Sequence, residues 1–284
     1  MLKGQIITIN KALYTVKTES EVYNCTARGK FRIDKISPLV GDFVNINEDT
    51  KQIISIEKRK NSLTRPNIAN VDYALVFTSV KKPDLDLVLL DKLLVNIYAN
   101  NIKPIICFSK IDLLEDNEKQ FFQTIKDYYQ KIGYLVITND EIAEFEKIVS
   151  NHVVVICGQT GAGKSTFVNH LDAKLNLATS PISESLNRGK HTTRYVSLYQ
   201  IKDYLIADTP GFSQLALDDL NPLMIRDSFI EFANYECLYR DCNHINTDGC
   251  EVIESVNKEI LNSRYENYQK FIKEYNENSR KFFK

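Results

Sequence analysis

The sequence predicts a multidomain protein of three parts: a five-stranded β-barrel, a doubly wound α/β domain, and a short helical module organised by a metal. Three observations carry this expectation. Five short apolar runs separated by turn residues fill the first 60 residues without a helical period. Strand and helix patterns then alternate up to and past a glycine-rich loop, Gly158 to Ser165. Three cysteines and a histidine crowd into residues 237–250. The expected boundaries are 1–62, 63–219 and 220–284.

In the first part, Gln5–Ile9, Leu13–Lys17, Val22–Thr26, Phe43–Asn47 and Gln52–Glu57 read as strands, with Asn10-Lys11, Gly29 and Asn47–Thr50 between them. Five strands in so few residues suit a barrel of the oligonucleotide-binding (OB) type. The segment is also basic: residues 1–65 hold 12 Lys and Arg against 7 Asp and Glu. Net charge for the whole chain is −1, which excludes a whole-chain attraction to nucleic acid and leaves the barrel as the part suited to a polyanion.

Residues 59–67 read as a polar passage into the second part. There, Asp72–Ser79, Lys103–Phe108, Tyr134–Thr138 and His152–Cys157 are predicted strands. Helices are expected at Leu85–Ala99, where Leu89, Leu93 and Ile97 share a stripe, at Asp116–Lys131 and at Asp140–Val149. This alternation implies a largely parallel sheet. After Asp219 the pattern is helical, interrupted by the Cys/His loop.

Gly158-Gln159-Thr160-Gly161-Ala162-Gly163-Lys164-Ser165, followed by Thr166, follows an apolar strand and opens a helix. Glycines there let backbone N–H groups turn toward phosphate oxygens, and the helix N-terminus adds positive potential. Lys164 is placed to reach the β- and γ-phosphates and Ser165 to ligate magnesium. Asp208-Thr209-Pro210-Gly211 ends another apolar strand, so Asp208 can hold magnesium and the Gly211 N–H can meet the γ-phosphate. Between them, Thr192 or Thr193 is the candidate to complete the magnesium shell. Ser109-Lys110-Ile111-Asp112 follows a strand end and supplies a base reader. An aspartate at position 112 accepts from the guanine N1–H and its exocyclic amine, which adenine does not offer in that geometry, so GTP is favoured. The base reader precedes the phosphate loop, the reverse of the usual order. The second part is therefore a circularly permuted P-loop α/β GTPase. Phe212 stands where many GTPases place the glutamine that orients water, which leaves His191 as the candidate catalytic residue.

Cys237, Cys242, His244 and Cys250 form a Cys₃His set suited to one structural zinc ion, with all four positions filled by protein. Cys25, Cys107 and Cys157 sit singly in apolar strands and are expected in the core. Six cysteines, no run of 18 apolar residues and no signal-peptide pattern after Met1-Leu2-Lys3-Gly4 point to a reducing cytoplasm and to no membrane partner.

Together, Arg65-Pro66, Ser109–Asp112, Gly158–Ser165, Arg188–Arg194, Asp208–Gly211 and the Cys₃His cluster resemble the RsgA family over essentially the whole chain. Two departures stand out: Ser109 replaces an asparagine, and Thr138-Asn139-Asp140 replaces a Ser-Ala base-contacting loop. The resemblance implies a monomer that uses GTP, Mg²⁺ and one Zn²⁺. It also implies binding to the small ribosomal subunit and its rRNA, and a role in late maturation of that subunit. Hydrolysis would be stimulated by the subunit and coupled to release. The alternative is a nucleotide-gated RNA-binding module with negligible turnover.

Overall fold

The computed structural model describes all residues except 30, 32–35, 65–66, 173–195, 209–216, 218–219 and 283–284. In chain order the N-terminal strands are β1 (Leu2–Asn10), β2 (Leu13–Lys17), β3 (Val22–Ala27), β4 (Phe43–Asn47) and β5 (Gln52–Ile56), then the short β6 (Ser62–Thr64) and β7 (Asn67–Ala69). The α/β part comprises β8 (Tyr73–Ser79), α1 (Leu87–Ala99), β9 (Lys103–Ser109), α2 (Asp116–Lys131), β10 (Leu135–Thr138) and α3 (Ile142–Val149). It continues through β11 (Val153–Gly158), α4 (Lys164–Leu171), β12 (Ser197–Ile201) and β13 (Tyr204–Asp208). Three further helices follow: α5 (Pro222–Asp227), α6 (Glu251–Glu254) and α7 (Asn262–Phe282).

The chain folds as two compact units, one of Met1–Leu75, Asp140–Cys157 and Gly163–Phe212, the other of Val76–Asn139, Gly158–Ala162 and Ser213–Lys284. In the first unit β1 pairs antiparallel with β2 and β4, β2 with β3, and β4 with β5, while β3 and β5 run parallel. That circuit closes the five strands into a barrel, which leaves none of them with an open edge. Period-two alternation puts Ile6, Val16, Cys25, Val44, Ile46 and Ile53 inside, each fully buried. A register shift between Ile6 and Thr8 marks a bulge in β1, and Thr8 pairs with Ser197 of β12. The polar passage contains a small antiparallel ribbon, β6 with β7, that its sequence does not announce. Side-chain amides help hold it beside the buried Leu63, Ile68 and Ala69: Asn61 exchanges two hydrogen bonds with the Val71 backbone, and Asn70 donates to the Gly41 carbonyl. The same unit holds β11 parallel to β13 and β12 antiparallel to it.

In the second unit the strand order is β10–β9–β8, with β10 parallel to β9. Asp86 caps α1 by accepting from the Leu89 N–H at 2.9 Å, and a capping box of Glu115 and Glu118 starts α2. A second apolar cluster joins Val95 of α1 to Ile225, Phe229, Phe232, Tyr268 and Phe271 of the C-terminal helices. Beside it lies a buried charge network. Arg264, 1% exposed, donates to Asp91 at 2.6 Å and to Glu231 at 2.8 Å, and its guanidinium stacks 4.4 Å from the Phe229 ring centre. Tyr128, Tyr129, Tyr134 and Asn267 complete the hydrogen bonding of these three groups. Among the described residues no helix is long and apolar enough to cross a membrane.

Candidate nucleotide site and metal centre

The glycine-rich loop begins where β11, buried along its whole length, runs out. Gly158 has φ +115°, and a Cβ there would lie 2.0 Å from the Phe77 carbonyl oxygen, so no other residue fits. The next N–H, of Gln159, donates to that same Phe77 carbonyl at 2.9 Å. The loop therefore lies close against the end of β8. Ala162 N–H then donates to Gln159 O at 3.3 Å, turning the chain, and Gly163 at φ +92° opens α4 without a side-chain cap. A helix start left uncapped by side chains presents its N–H groups to an anion. Thr160, Gly161 and Thr166 are exposed, Gly163, Lys164 and Ser165 are half-buried, and Ala162 is buried.

The Gln159 side chain does work that its position in the motif does not reveal. Its Oε1 accepts from the Ser79 N–H at 3.1 Å and its Nε2 donates to the Asp84 carbonyl at 2.8 Å. The loop is thus fastened to the turn that links β8 to α1.

Ser109 ends β9, 3% exposed, and its hydroxyl donates to the Ala162 carbonyl at 2.7 Å. The serine at this departure from the family pattern thus reaches the phosphate loop. Lys110 follows at φ 61°, a left-handed residue that turns the chain, and its ammonium donates to the Lys82 carbonyl. Ile111, half-buried, and Asp112, exposed, belong to a single 3₁₀ turn. Asn139, in the segment that replaces the Ser-Ala loop, donates its N–H to the Phe108 carbonyl at 3.1 Å, which brings residues 138–140 beside the end of β9.

Asp208 is the last residue of β13, its backbone paired with Ser197. His191, Thr192, Thr193, Gly211 and Phe212 lie outside the described residues, as do Arg65, Pro66 and the 188–194 segment. Cys157, next to the loop, is 1% exposed, and burial pushes its thiol well up, which makes it an inert core residue; Cys25 and Cys107 are buried likewise.

The Cys₃His set converges. The ligand atoms of Cys237, Cys242, His244 and Cys250 all lie within 4.8 Å of one another. Cys237 Sγ is 3.7 Å from Cys250 Sγ, and His244 Nδ1 is 3.5 and 3.4 Å from those two sulfurs. A tetrahedral zinc ion with Zn–S of about 2.3 Å and Zn–N of about 2.0 Å separates its sulfurs by roughly 3.8 Å and S from N by roughly 3.5 Å. The observed spacings match those edges, so the donor set fits zinc. Burial and the neighbouring thiols push the Cys250 thiol up to about 12, because three thiolates cannot crowd together without a cation. Tyr265 and Tyr268 of α7 fix the loop by donating to the carbonyls of His244 and Asn243.

These features define a class: a P-loop nucleotide-binding protein whose base-side segment precedes its phosphate loop. The family model described as RsgA GTPase matches residues 56–218, and the one described as RsgA N-terminal domain matches residues 3–54. The small ribosomal subunit biogenesis GTPase RsgA of Pediococcus pentosaceus is 44% identical, the match covering 96% of this chain and 92% of that protein. A Listeria monocytogenes relative, small ribosomal subunit biogenesis GTPase RsgA 2, is also 44% identical, with 96% and 97% covered. Among solved structures, YloQ, described as a circularly permuted GTPase, superposes with a TM-score of 0.83 at 33% identity, covering 98% of this chain and 96% of that one. YjeQ from Thermotoga maritima gives a TM-score of 0.82 at 29% identity over 96% and 98%. The chain belongs to the RsgA GTPase family and is a GTP-hydrolysing enzyme.

Proposed function

We propose that this enzyme acts in maturation of the small ribosomal subunit: it binds the subunit's rRNA in the GTP state, hydrolyses GTP on the subunit and leaves afterwards. The names of the relatives support the subunit as partner. The observation that carries the nucleotide reading is the 2.7 Å hydrogen bond from Ser109 to Ala162, which ties the base-side segment to the Gly158–Ala162 stretch of the phosphate loop.

In this reading the N–H groups of residues 158–166 cradle the phosphates, and Lys164 neutralises β- and γ-phosphate charge. Ser165, Asp208 and either Thr192 or Thr193 hold magnesium, which when bound offsets the charge developing on the transferred phosphoryl group. Asp112 reads guanine, with Lys110 along the base plane and Ile111 supporting the turn. Gly211 senses the γ-phosphate, and His191 positions the attacking water because Phe212 offers no polar group for that task. Zinc on Cys237, Cys242, His244 and Cys250 is structural. The functional division is a 1–62 RNA-binding barrel, a 63–219 GTPase domain and a 220–284 zinc module, in a cytoplasmic monomer.

Co-sedimentation tests the partner. The chain should pellet with purified small subunits in a non-hydrolysable GTP analogue and remain in solution with GDP or with large subunits alone. Pelleting that ignores nucleotide, or prefers large subunits, contradicts the reading. His191→Ala should bind as the parent does yet lose stimulated turnover, and unchanged turnover removes His191 from the mechanism.

A further inference from the structure

The turn between β8 and α1 is gripped from both ends. At its start Gln159 of the phosphate loop takes the Ser79 N–H and the Asp84 carbonyl, at 3.1 and 2.8 Å. Three residues later Asn267 of α7 takes the Leu87 carbonyl at 3.2 Å. Asn267, 5% exposed, spends its second amide hydrogen on Asp91 one turn further along α1, at 2.7 Å. Asp91 is in turn held by Arg264 and by the Tyr129 hydroxyl, at 2.6 and 2.5 Å. The first turn of α1 is therefore fixed to α7 through Asn267 and the buried Asp91.

Gln159 and Asn267 both line a cleft of about 510 Å³, together with residues 83–88, Ser263 and Glu266. The turn is a route by which α7 bears on the loop. The carbonyl that Gln159 holds is two residues from the N-cap of α1, so a shift of that helix start moves the Asp84 oxygen away from the Gln159 amide. Hydrogen bonds weaken steeply as their distance and angle depart from the ideal.

We propose that Asn267 is a positioning residue for nucleotide binding: from the C-terminal helix it fixes the β8–α1 turn on which Gln159 seats the phosphate loop. A second site thereby influences nucleotide affinity by a contiguous route of packed and hydrogen-bonded groups.

The test is displacement of a fluorescent GDP analogue from the full-length, zinc-loaded chain, with thermal unfolding recorded for each variant. Asn267→Ala should weaken GDP about fivefold, the low end of ordinary coupling between sites. Tyr265→Phe on the same helix removes the bond to the His244 carbonyl and serves as the control for general loosening of α7. The proposal expects its GDP affinity to match the parent even where its melting temperature falls as far. Equal weakening in both variants, or in neither, overturns the proposal. Should Asn267→Ala not fold, Asn267→Leu, which keeps the volume and removes the amide donor without adding charge, takes its place. In a Gln159→Ala background the Asn267 substitution should add nothing further, and an undiminished fivefold effect there overturns the route.

Discussion

Ser109→Ala isolates the contact between the end of β9 and the glycine-rich loop. The hydroxyl lies 2.7 Å from the Ala162 carbonyl, with Ser109 3% and Ala162 0% exposed, so water cannot replace the lost donor. A typical net hydrogen bond contributes about 1 kcal/mol, and a buried acceptor left unpaired costs about 1–3 kcal/mol. A loop free to shift after the substitution would regain hydration at that carbonyl, whereas one held around phosphate would not. The cost therefore falls mainly on the bound state. Taking about 1.4 kcal/mol, GDP affinity should fall roughly tenfold, measured with a fluorescent GDP analogue. Ser109→Asn, which restores a donor, should bind closer to the parent. Affinity unchanged by Ser109→Ala would refute the reasoning, because the hydrogen bond would then hold the fold and not the site.

Gly158→Ala should abolish nucleotide binding or prevent folding, since the new Cβ meets the Phe77 carbonyl oxygen at 2.0 Å; GDP titration and circular dichroism decide which. Arg264→Met leaves Asp91 and Glu231 buried without their cation and should cost about 3–5 kcal/mol in denaturant unfolding. A loss below about 1 kcal/mol would mean that those carboxylates reach solvent or protonate readily. Metal analysis should find one zinc per chain, and Cys250→Ser or a strong chelator should release it and loosen α7, read as faster hydrogen exchange around Tyr265 and Tyr268.

Much of this was legible in the sequence because periodicity and spacing report it directly. The five barrel strands fall where alternation put them, and α2 spans Asp116–Lys131, the bounds expected for it. The Cys₃His spacing gave the candidate metal site, whose donors do converge. The β6–β7 ribbon escaped because its strands are three residues long and are secured by asparagine side chains, which read as turn formers. Arg264 escaped for another reason. In a terminal helix rich in charge, one arginine looks like its solvated neighbours, and only the fold brings Asp91 and Glu231, far off in sequence, against it. The Gln159 side chain was hidden likewise, since the phosphate-loop pattern leaves its position free and its partners lie at the end of β8.

The most direct measurement of the central claim is GTP turnover by the full chain, with and without purified small ribosomal subunits at equal nucleotide. The account predicts slow turnover alone, because Phe212 offers no side chain to orient water, and a large increase with small subunits but not with large ones. Turnover that small subunits leave unchanged would contradict it.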